Sequence, residues 1–262
     1  MKTIAELKKK KAEGEKLTCL TAYDASFAFL LEQAGVEVIL VGDSLGMVVQ
    51  GQSTTLPVTL DEMIYHAAAV KRGALNTFVV VDMPFMSYAT TNKAVENAGK
   101  IMKQTGANMV KLEGGETMVE TIAGISRMGI PVCAHIGLLP QSVHKSSGYR
   151  IQGKTPTDAK KLLEDALSLQ QAGADLLVME CVPAELAKEI SKNLDIPTIG
   201  IGAGVDCDGQ VLVLYDMLDI TKGKRPKFSQ NFMLGKSSIE DAVKAYVNAV
   251  KEKEFPTVEQ SF

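Results

Sequence analysis

The chain has 262 residues, 46% of them hydrophobic and 23% charged, enough for one (β/α)₈ barrel or two smaller domains around a sizeable core. Its formal charge of −3 argues against nucleic acid as a main partner, and no apolar run approaches the ~18 residues that cross a bilayer. The start of the chain has no apolar signal region, and the four cysteines (Cys19, Cys133, Cys181, Cys207) lie far apart, so free thiols in the cytoplasm are expected.

Along the chain, Thr3–Glu6 has capping-box spacing for a helix that precedes a first strand, Leu17–Thr21. A recurring mark follows: an amphipathic stretch ends in glycine and a short apolar run begins. Gly35 precedes a strand at Val38–Gly42, Gly73 one at Phe78–Val81, and Gly106 one at Met109–Leu112. Gly129 precedes Val132–Ala134, and Gly173 precedes Leu176–Met179. Thr155-Pro156-Thr157-Asp158 starts the helix between the last two. Thr198–Gly202 makes a seventh strand and Val211–Tyr215 can supply an eighth, with no room between Gly204 and Val211 for a crossover helix. Ser237–Glu240 caps a final helix from about Ser238 to Lys251. Near-continuous apolar strands alternating with helices indicate a parallel sheet buried on both faces. The expected fold is α/β: a single (βα)₈ barrel domain over residues 1–262, with an extra N-terminal helix and an irregular seventh crossover. Two connections, Ser44–Thr59 and Ile136–Thr155, are long enough to be functional loops.

The strand ends carry the chemistry. Five successive strands finish in ionisable groups: Asp43, then Asp82, then Lys111 with Glu113, then His135, then Glu180. All fall at the C-terminal end, where (β/α)₈ enzymes assemble their sites. Strand alternation puts Lys111 and Glu113 on one face and Val110 and Leu112 on the other, so the charged pair is expected inside the barrel. Each residue also has a plainer reading: Asp43 and Asp82 as turn residues, Glu180 as a helix cap, Lys111–Glu113 as a structural ion pair, His135 as a core histidine. The joint arrangement favours a site. Four carboxylates against one lysine would repel one another and raise their own pKa values unless a divalent cation joined them. The ligands are all oxygen, which selects Mg²⁺ over Zn²⁺, with Asp43 and Asp82 as direct ligands and Glu113 on a metal-bound water.

Weaker signals remain. Gly200-Ile-Gly202-Ala-Gly204 could cradle a phosphate but has neither glycine-loop spacing, so tight backbone packing is the preferred reading. His144, Lys145 and Arg150 could meet an anion or simply form a solvated loop face.

Several stretches resemble the ketopantoate hydroxymethyltransferase family. They run in order from Leu20-Thr-Ala-Tyr-Asp24 and Val41-Gly-Asp-Ser-Leu-Gly-Met47 through Gln50–Thr59, Asp82-Met-Pro-Phe-Met-Ser-Tyr88 and Val110-Lys-Leu-Glu-Gly-Gly115. His135-Ile-Gly-Leu-Leu-Pro-Gln-Ser142, Gly148–Lys154, Glu180-Cys-Val-Pro183, Ile199–Gly204 and Asp208–Val213 continue the match. The resemblance implies a homo-oligomeric barrel (a homodecamer) that transfers a one-carbon unit from 5,10-methylenetetrahydrofolate to 3-methyl-2-oxobutanoate. It implies one Mg²⁺ per subunit on Asp43, Asp82 and Glu113, substrate contacts from Asp43, Ser44, Asp82, Lys111 and His135, and Glu180 as proton acceptor. The alternative is another Mg²⁺-dependent 2-oxo-acid lyase or mutase of the phosphoenolpyruvate mutase type. Many of those rely on a loop cysteine, and neither long loop here contains one. A non-catalytic binding protein would leave Lys111 and Glu180 without a task.

Overall fold

A computed structural model describes residues 2–145, 151–221, 223 and 225–262. The chain runs α1 (Ile4–Glu13), β1 (Leu17–Thr21), α2 (Ala25–Gln33), β2 (Val38–Val41), α3 (Leu45–Val48), α4 (Leu60–Gly73), β3 (Phe78–Asp82), α5 (Thr91–Thr105), β4 (Met109–Glu113), α6 (Val119–Arg127) and β5 (Val132–Gly137). It continues through α7 (Pro156–Gln171), β6 (Leu176–Glu180), α8 (Ala184–Asn193), β7 (Thr198–Ile201), β8 (Gly209–Leu212), α9 (Leu214–Met217) and α10 (Ile239–Lys251). All eight strands are parallel, and β8 returns to pair with β1, so the sheet closes into a barrel.

The helix ends form for the reasons their spacing suggests. Thr3 Oγ1 accepts from the Glu6 N–H while Glu6 Oε2 accepts from the Thr3 N–H at 2.6 Å, and Thr155 caps α7 through the Asp158 N–H. The cap of α10 is shifted by one residue from the expected box: Ser238 accepts from Asp241 N–H, so the helix begins at Ile239. Of the five punctuating glycines, Gly35, Gly106, Gly129 and Gly173 have positive φ. Gly73 does not. It is the last residue of α4, and a Cβ there would lie 2.1 Å from the Ala25 carbonyl oxygen, so it serves the close approach of α4 to the start of α2.

Two cores follow from strand alternation. Val79, Val81, Val110, Leu112, Ala134, Leu177 and Met179 face outward into the layer shared with the helices. Phe78, Val80, Met109, Cys133, Leu176 and Val178 face inward and fill the barrel. Leu7 of α1 joins that inner set, so the extra helix stoppers the N-terminal end.

The last quarter of the barrel departs from the regular unit. No helix separates β7 from β8, as expected. Asp208 braces that corner instead, accepting from Thr198 N–H at 2.8 Å and from Lys11 Nζ at 2.7 Å. The eighth strand lies earlier than the apolar run Val211–Tyr215 suggests, at Gly209–Leu212, because the chain turns into α9 at Leu214. Gly209 opens β8 close against β1, where a Cβ would lie 2.6 Å from the Leu17 carbonyl oxygen. Tyr246 of α10 closes the same seam. Its fully buried hydroxyl lies 2.9 Å from the Cys19 carbonyl oxygen of β1 and 2.8 Å from that of Gln210 of β8.

Tyr246→Phe keeps the ring packing and removes that donor, so it should lower the unfolding free energy by about 1–2 kcal/mol. Urea denaturation should show a lower midpoint at unchanged m-value; an unshifted midpoint would mean the hydroxyl does not hold the seam.

Candidate active site

The inner rows of β3 to β6 end in charge. Phe78, Val80 and Asp82 stand in one inward row, followed on the next strands by Met109, Lys111 and Glu113, by Cys133 and His135, and by Leu176, Val178 and Glu180. The register places Asp82 beside Lys111, Glu113 beside His135, and Gly137 beside Glu180. Asp43 reaches the same level from the turn after β2, which ends at Val41. With Ser44, these residues line one cavity of about 1140 Å³ at the C-terminal mouth. Every residue proposed from the strand ends is therefore brought together there.

Two glycines permit the approach. A Cβ at Gly42 would lie 2.9 Å from Ser44 Oγ, so its absence makes room for that hydroxyl, and Asp82 Oδ2 accepts from the Asp43 N–H at 3.1 Å beside it. A Cβ at Gly137 would lie 2.2 Å from the Glu180 carbonyl oxygen, and its φ of 94° is one that L side chains avoid. Directly after Glu180, Cys181 is held at φ 50° with its N–H on the Ile201 carbonyl at 2.9 Å. Left-handed backbone in a non-glycine residue costs of order 1 kcal/mol or more and is often found at functional sites.

The charges are unevenly paired. Lys111 Nζ donates to Asp82 Oδ1 at 2.7 Å, so its ion pair is with Asp82 and not with Glu113. Burial opposes the ammonium, but Asp82, Glu113 and Asp43 outweigh it and hold the Lys111 pKa above its ordinary value. Glu113 faces elsewhere: its Oε1 lies 3.7 Å from His135 Nδ1, and its Oε2 accepts from the Gln141 backbone N–H at 3.0 Å. Burial pushes its pKa up, yet His135 and Lys111 prevail and it lies below the usual range. His135 Nε2 is 3.4 Å from Glu180 Oε2, and neither ring nitrogen makes a hydrogen bond. Burial and Lys111 push the imidazole pKa down, and the flanking glutamates push it above its usual value. Asp43 shows the strong rise expected of crowded carboxylates, caused by burial first and then by Asp82 and Glu113. Ser44 Oγ is 2.9 Å from the Tyr23 hydroxyl.

This donor set fits a hard divalent cation. Three buried carboxylates share one ammonium, and the carboxyl with no cation of its own, Asp43, is the one driven towards its neutral form. Among the described residues no group of three His, Cys, Asp or Glu side chains is gathered closely enough to hold a metal by itself. Two direct carboxylates would suffice for Mg²⁺, which takes one or two and fills its other positions with water and substrate.

Residue-type reasoning missed two members of the site, Gln141 and Tyr88. Gln141 Nε2 donates to Asp43 Oδ2 at 2.8 Å and to the Met83 carbonyl at 3.0 Å, and its Oε1 accepts from the Tyr88 hydroxyl. Both are neutral and lie outside the strands, where neither strand alternation nor charge marks them; the family-like stretches Asp82–Tyr88 and His135–Ser142 contain them without assigning them a role. The glycines of Gly200–Gly204 serve packing: the spaces where their Cβ atoms would stand are bounded by Cys207, Phe262 and Ala184. His144 and Lys145 are exposed and do not line the cavity, whereas Lys154 does; Arg150 lies outside the described residues.

The ketopantoate hydroxymethyltransferase family model matches residues 1–258. A 3-methyl-2-oxobutanoate hydroxymethyltransferase of Nitrosococcus oceani is 59% identical over 260 residues, covering 99% of this chain and 98% of that one. A second relative of that name, from Hahella chejuensis, is 54% identical over 262 residues, covering 100% of this chain and 98% of its own. Among solved structures, 2,3-dimethylmalate lyase, a member of the PEP mutase/isocitrate lyase superfamily, has a similar fold at TM-score 0.60 and 18% identity, with 81% of each chain covered.

The uneven pairing has opposite consequences at two aspartates. Asp82→Asn strips the buried Lys111 of its partner and should cost the metal-free protein about 3–5 kcal/mol. Asp43 titrates higher folded than unfolded, so its ionisation weakens the native state as pH rises above the unfolded value. Asp43→Asn removes that cost, and its side-chain oxygen can still accept from Gln141. At pH 7, urea denaturation in chelator should therefore show a large loss for Asp82→Asn and no loss, or a gain, for Asp43→Asn; equal losses would contradict this charge balance.

Proposed function

The chain belongs to the ketopantoate hydroxymethyltransferase family, and from that premise we propose how its cavity works. It is a transferase that adds a hydroxymethyl group to 3-methyl-2-oxobutanoate, giving 2-dehydropantoate on the route to pantothenate. The donor we propose is 5,10-methylenetetrahydrofolate. A cavity of about 1140 Å³ exceeds the ~300–1,000 Å³ of ordinary ligand pockets and leaves ample room beside a small branched oxo acid. That space runs towards Ile220, Lys227, Phe228 and Phe262, apolar surface with a basic group.

Asp43 and Asp82 would hold one Mg²⁺ per subunit, with Glu113 reaching it through water. Bound there, the ion supplies Lewis-acid polarisation of the substrate's keto group. The other roles fall to this chain's own side chains. Lys111 places a fixed positive charge where negative charge develops during deprotonation, within a cluster shielded from water. Asp43, Ser44, Asp82, Lys111 and His135 orient the oxo acid, and Glu180 takes the proton from C3. The observation that carries the last assignment is exposure within the row. The Glu180 side chain is 13% exposed and opens to the cavity, while those of Asp82, Lys111, Glu113 and His135 are 5% exposed or less. His135 Nε2 lies 3.4 Å from the Glu180 carboxylate.

A lyase or mutase of the phosphoenolpyruvate mutase type shares the barrel, but that likeness concerns fold alone. The one cysteine at the cavity wall, Cys181, is buried, and its thiol pKa is pushed up to about 12, unsuited to serving as an acid or nucleophile near neutrality. We further propose that residues 1–262 act as one catalytic domain and that the enzyme works in the cytoplasm. No helix among the described residues is long and apolar enough to cross a membrane. A homo-oligomer, a homodecamer in the family's pattern, would cover apolar surface such as Phe29 and Tyr65 on the adjoining helices α2 and α4.

Glu180→Gln should retain oxo-acid binding while its rate of C3 hydrogen exchange in deuterated water falls about 10²–10⁴-fold. The wild type should form ketopantoate only with the folate donor present. Unchanged exchange would remove Glu180 from its role, and folate-independent turnover would favour the lyase or mutase reading.

A further inference from the structure

We propose that Gln141 is a positioning residue for the divalent ion, fixing the carboxylates of Asp43 and Glu113 on either side of the place the cation would take. The inference rests on the Mg²⁺ reading above. Gln141 is 6% exposed and sits on the tight turn Pro140–Ser142 after β5. It touches two of the three metal-site carboxylates through different atoms: its side-chain amide meets Asp43 Oδ2, and its backbone N–H meets Glu113 Oε2. The residue therefore bridges the turn after β2 and the end of β4, two ligand positions that do not pair directly in the sheet.

The amide cannot turn over. Its –NH₂ has two donors, one on Asp43 Oδ2 at 2.8 Å and one on the Met83 carbonyl at 3.0 Å, while its oxygen accepts from the Tyr88 hydroxyl. A flip would set the amide oxygen against a carboxylate and a carbonyl and leave the Tyr88 donor facing an –NH₂. Burial pushes the Tyr88 phenol pKa well above its ordinary value, so it remains a donor throughout the working pH range. With Asp43 Oδ2 so occupied, Asp43 Oδ1 is left for the cation, while Glu113 is held between the Gln141 N–H on its Oε2 and His135 Nδ1, 3.7 Å from its Oε1.

Chemistry explains the choice of residue. A lysine here would satisfy the carboxylates with the charge that the metal should bring, and a glutamate would add another repelling carboxylate. A neutral donor fixes direction and leaves the negative charge for the ion. Groups that orient metal ligands in this way typically change affinity 10–100-fold when removed.

The test is calorimetric titration of MgCl₂ into chelator-treated full-length protein, with urea denaturation run in parallel. Wild type should bind one ion per chain, and Gln141→Met should bind it about 10–100-fold more weakly. Tyr88→Phe, which leaves the glutamine in place but frees its amide, should weaken binding by more than about twofold and up to about 10-fold. A residue with a merely structural role would move the urea midpoint and leave the Mg²⁺ affinity alone. If Gln141→Met keeps its Kd within about twofold of wild type, the inference is overturned. Should Gln141→Met fail to fold, an unchanged Kd in Tyr88→Phe overturns it equally. If the wild type itself binds no Mg²⁺, the metal reading fails before Gln141 is in question.

Discussion

Three buried carboxylates share one buried ammonium at the mouth of the barrel, and the chemistry depends on that imbalance. The opposite end of the molecule offers an internal contrast. Glu37 is buried beneath the strands, and Lys10 at 3.0 Å, Lys251 at 2.6 Å and the Thr18 N–H at 3.0 Å all meet it. Burial raises its pKa, but these partners prevail and hold it below the usual carboxylate range. Among the described residues Asp43 accepts a side-chain hydrogen bond from the neutral amide of Gln141 and no ion pair, and it is driven the other way. A buried carboxylate without a cation is expensive: the fold neutralises Glu37 with its own lysines, and the cation we propose would do the same for Asp43.

Barrel geometry turns that imbalance into a site. Parallel register aligns the inward rows of β3, β4, β5 and β6, so the last inward position of neighbouring strands falls at one level. Below that level the rows are apolar and exclude water, which strengthens every charge interaction above them. Lys111, Asp82 and Glu113 stand on strand backbone, which fixes them better than loops would. Asp43 and Gln141, which stand outside the strands, are tied together by their own hydrogen bond.

Much of this was legible in the sequence because strand alternation and helix punctuation are local properties. Val110-Lys111-Leu112-Glu113 betrays its orientation within four residues, and the charged ends of five strands mark the mouth. The misreadings were of two kinds. Where an apolar run continues from strand into helix, as from Val211 into α9, hydrophobicity alone cannot place the boundary, and β8 lies earlier than the run suggests. Partnerships across the barrel are not local at all: Lys111 pairs with Asp82 on the neighbouring strand because register opposes them, and Gln141 meets Asp43 across 98 positions of chain. Tyr88 and Gln141 carry no charge and follow no period, so although both lie in family-like stretches, only the folded arrangement reveals their contacts.

The central claim is that Asp43 and Asp82 close on a hard divalent ion. Its most direct test is anomalous diffraction from crystals grown with Mn²⁺ in place of Mg²⁺ and with 3-methyl-2-oxobutanoate present. The account predicts one anomalous peak per chain, about 2.0–2.3 Å from a carboxylate oxygen of each aspartate, with the oxo acid completing the coordination. A site without a peak, or a peak whose ligands include neither aspartate, would contradict it.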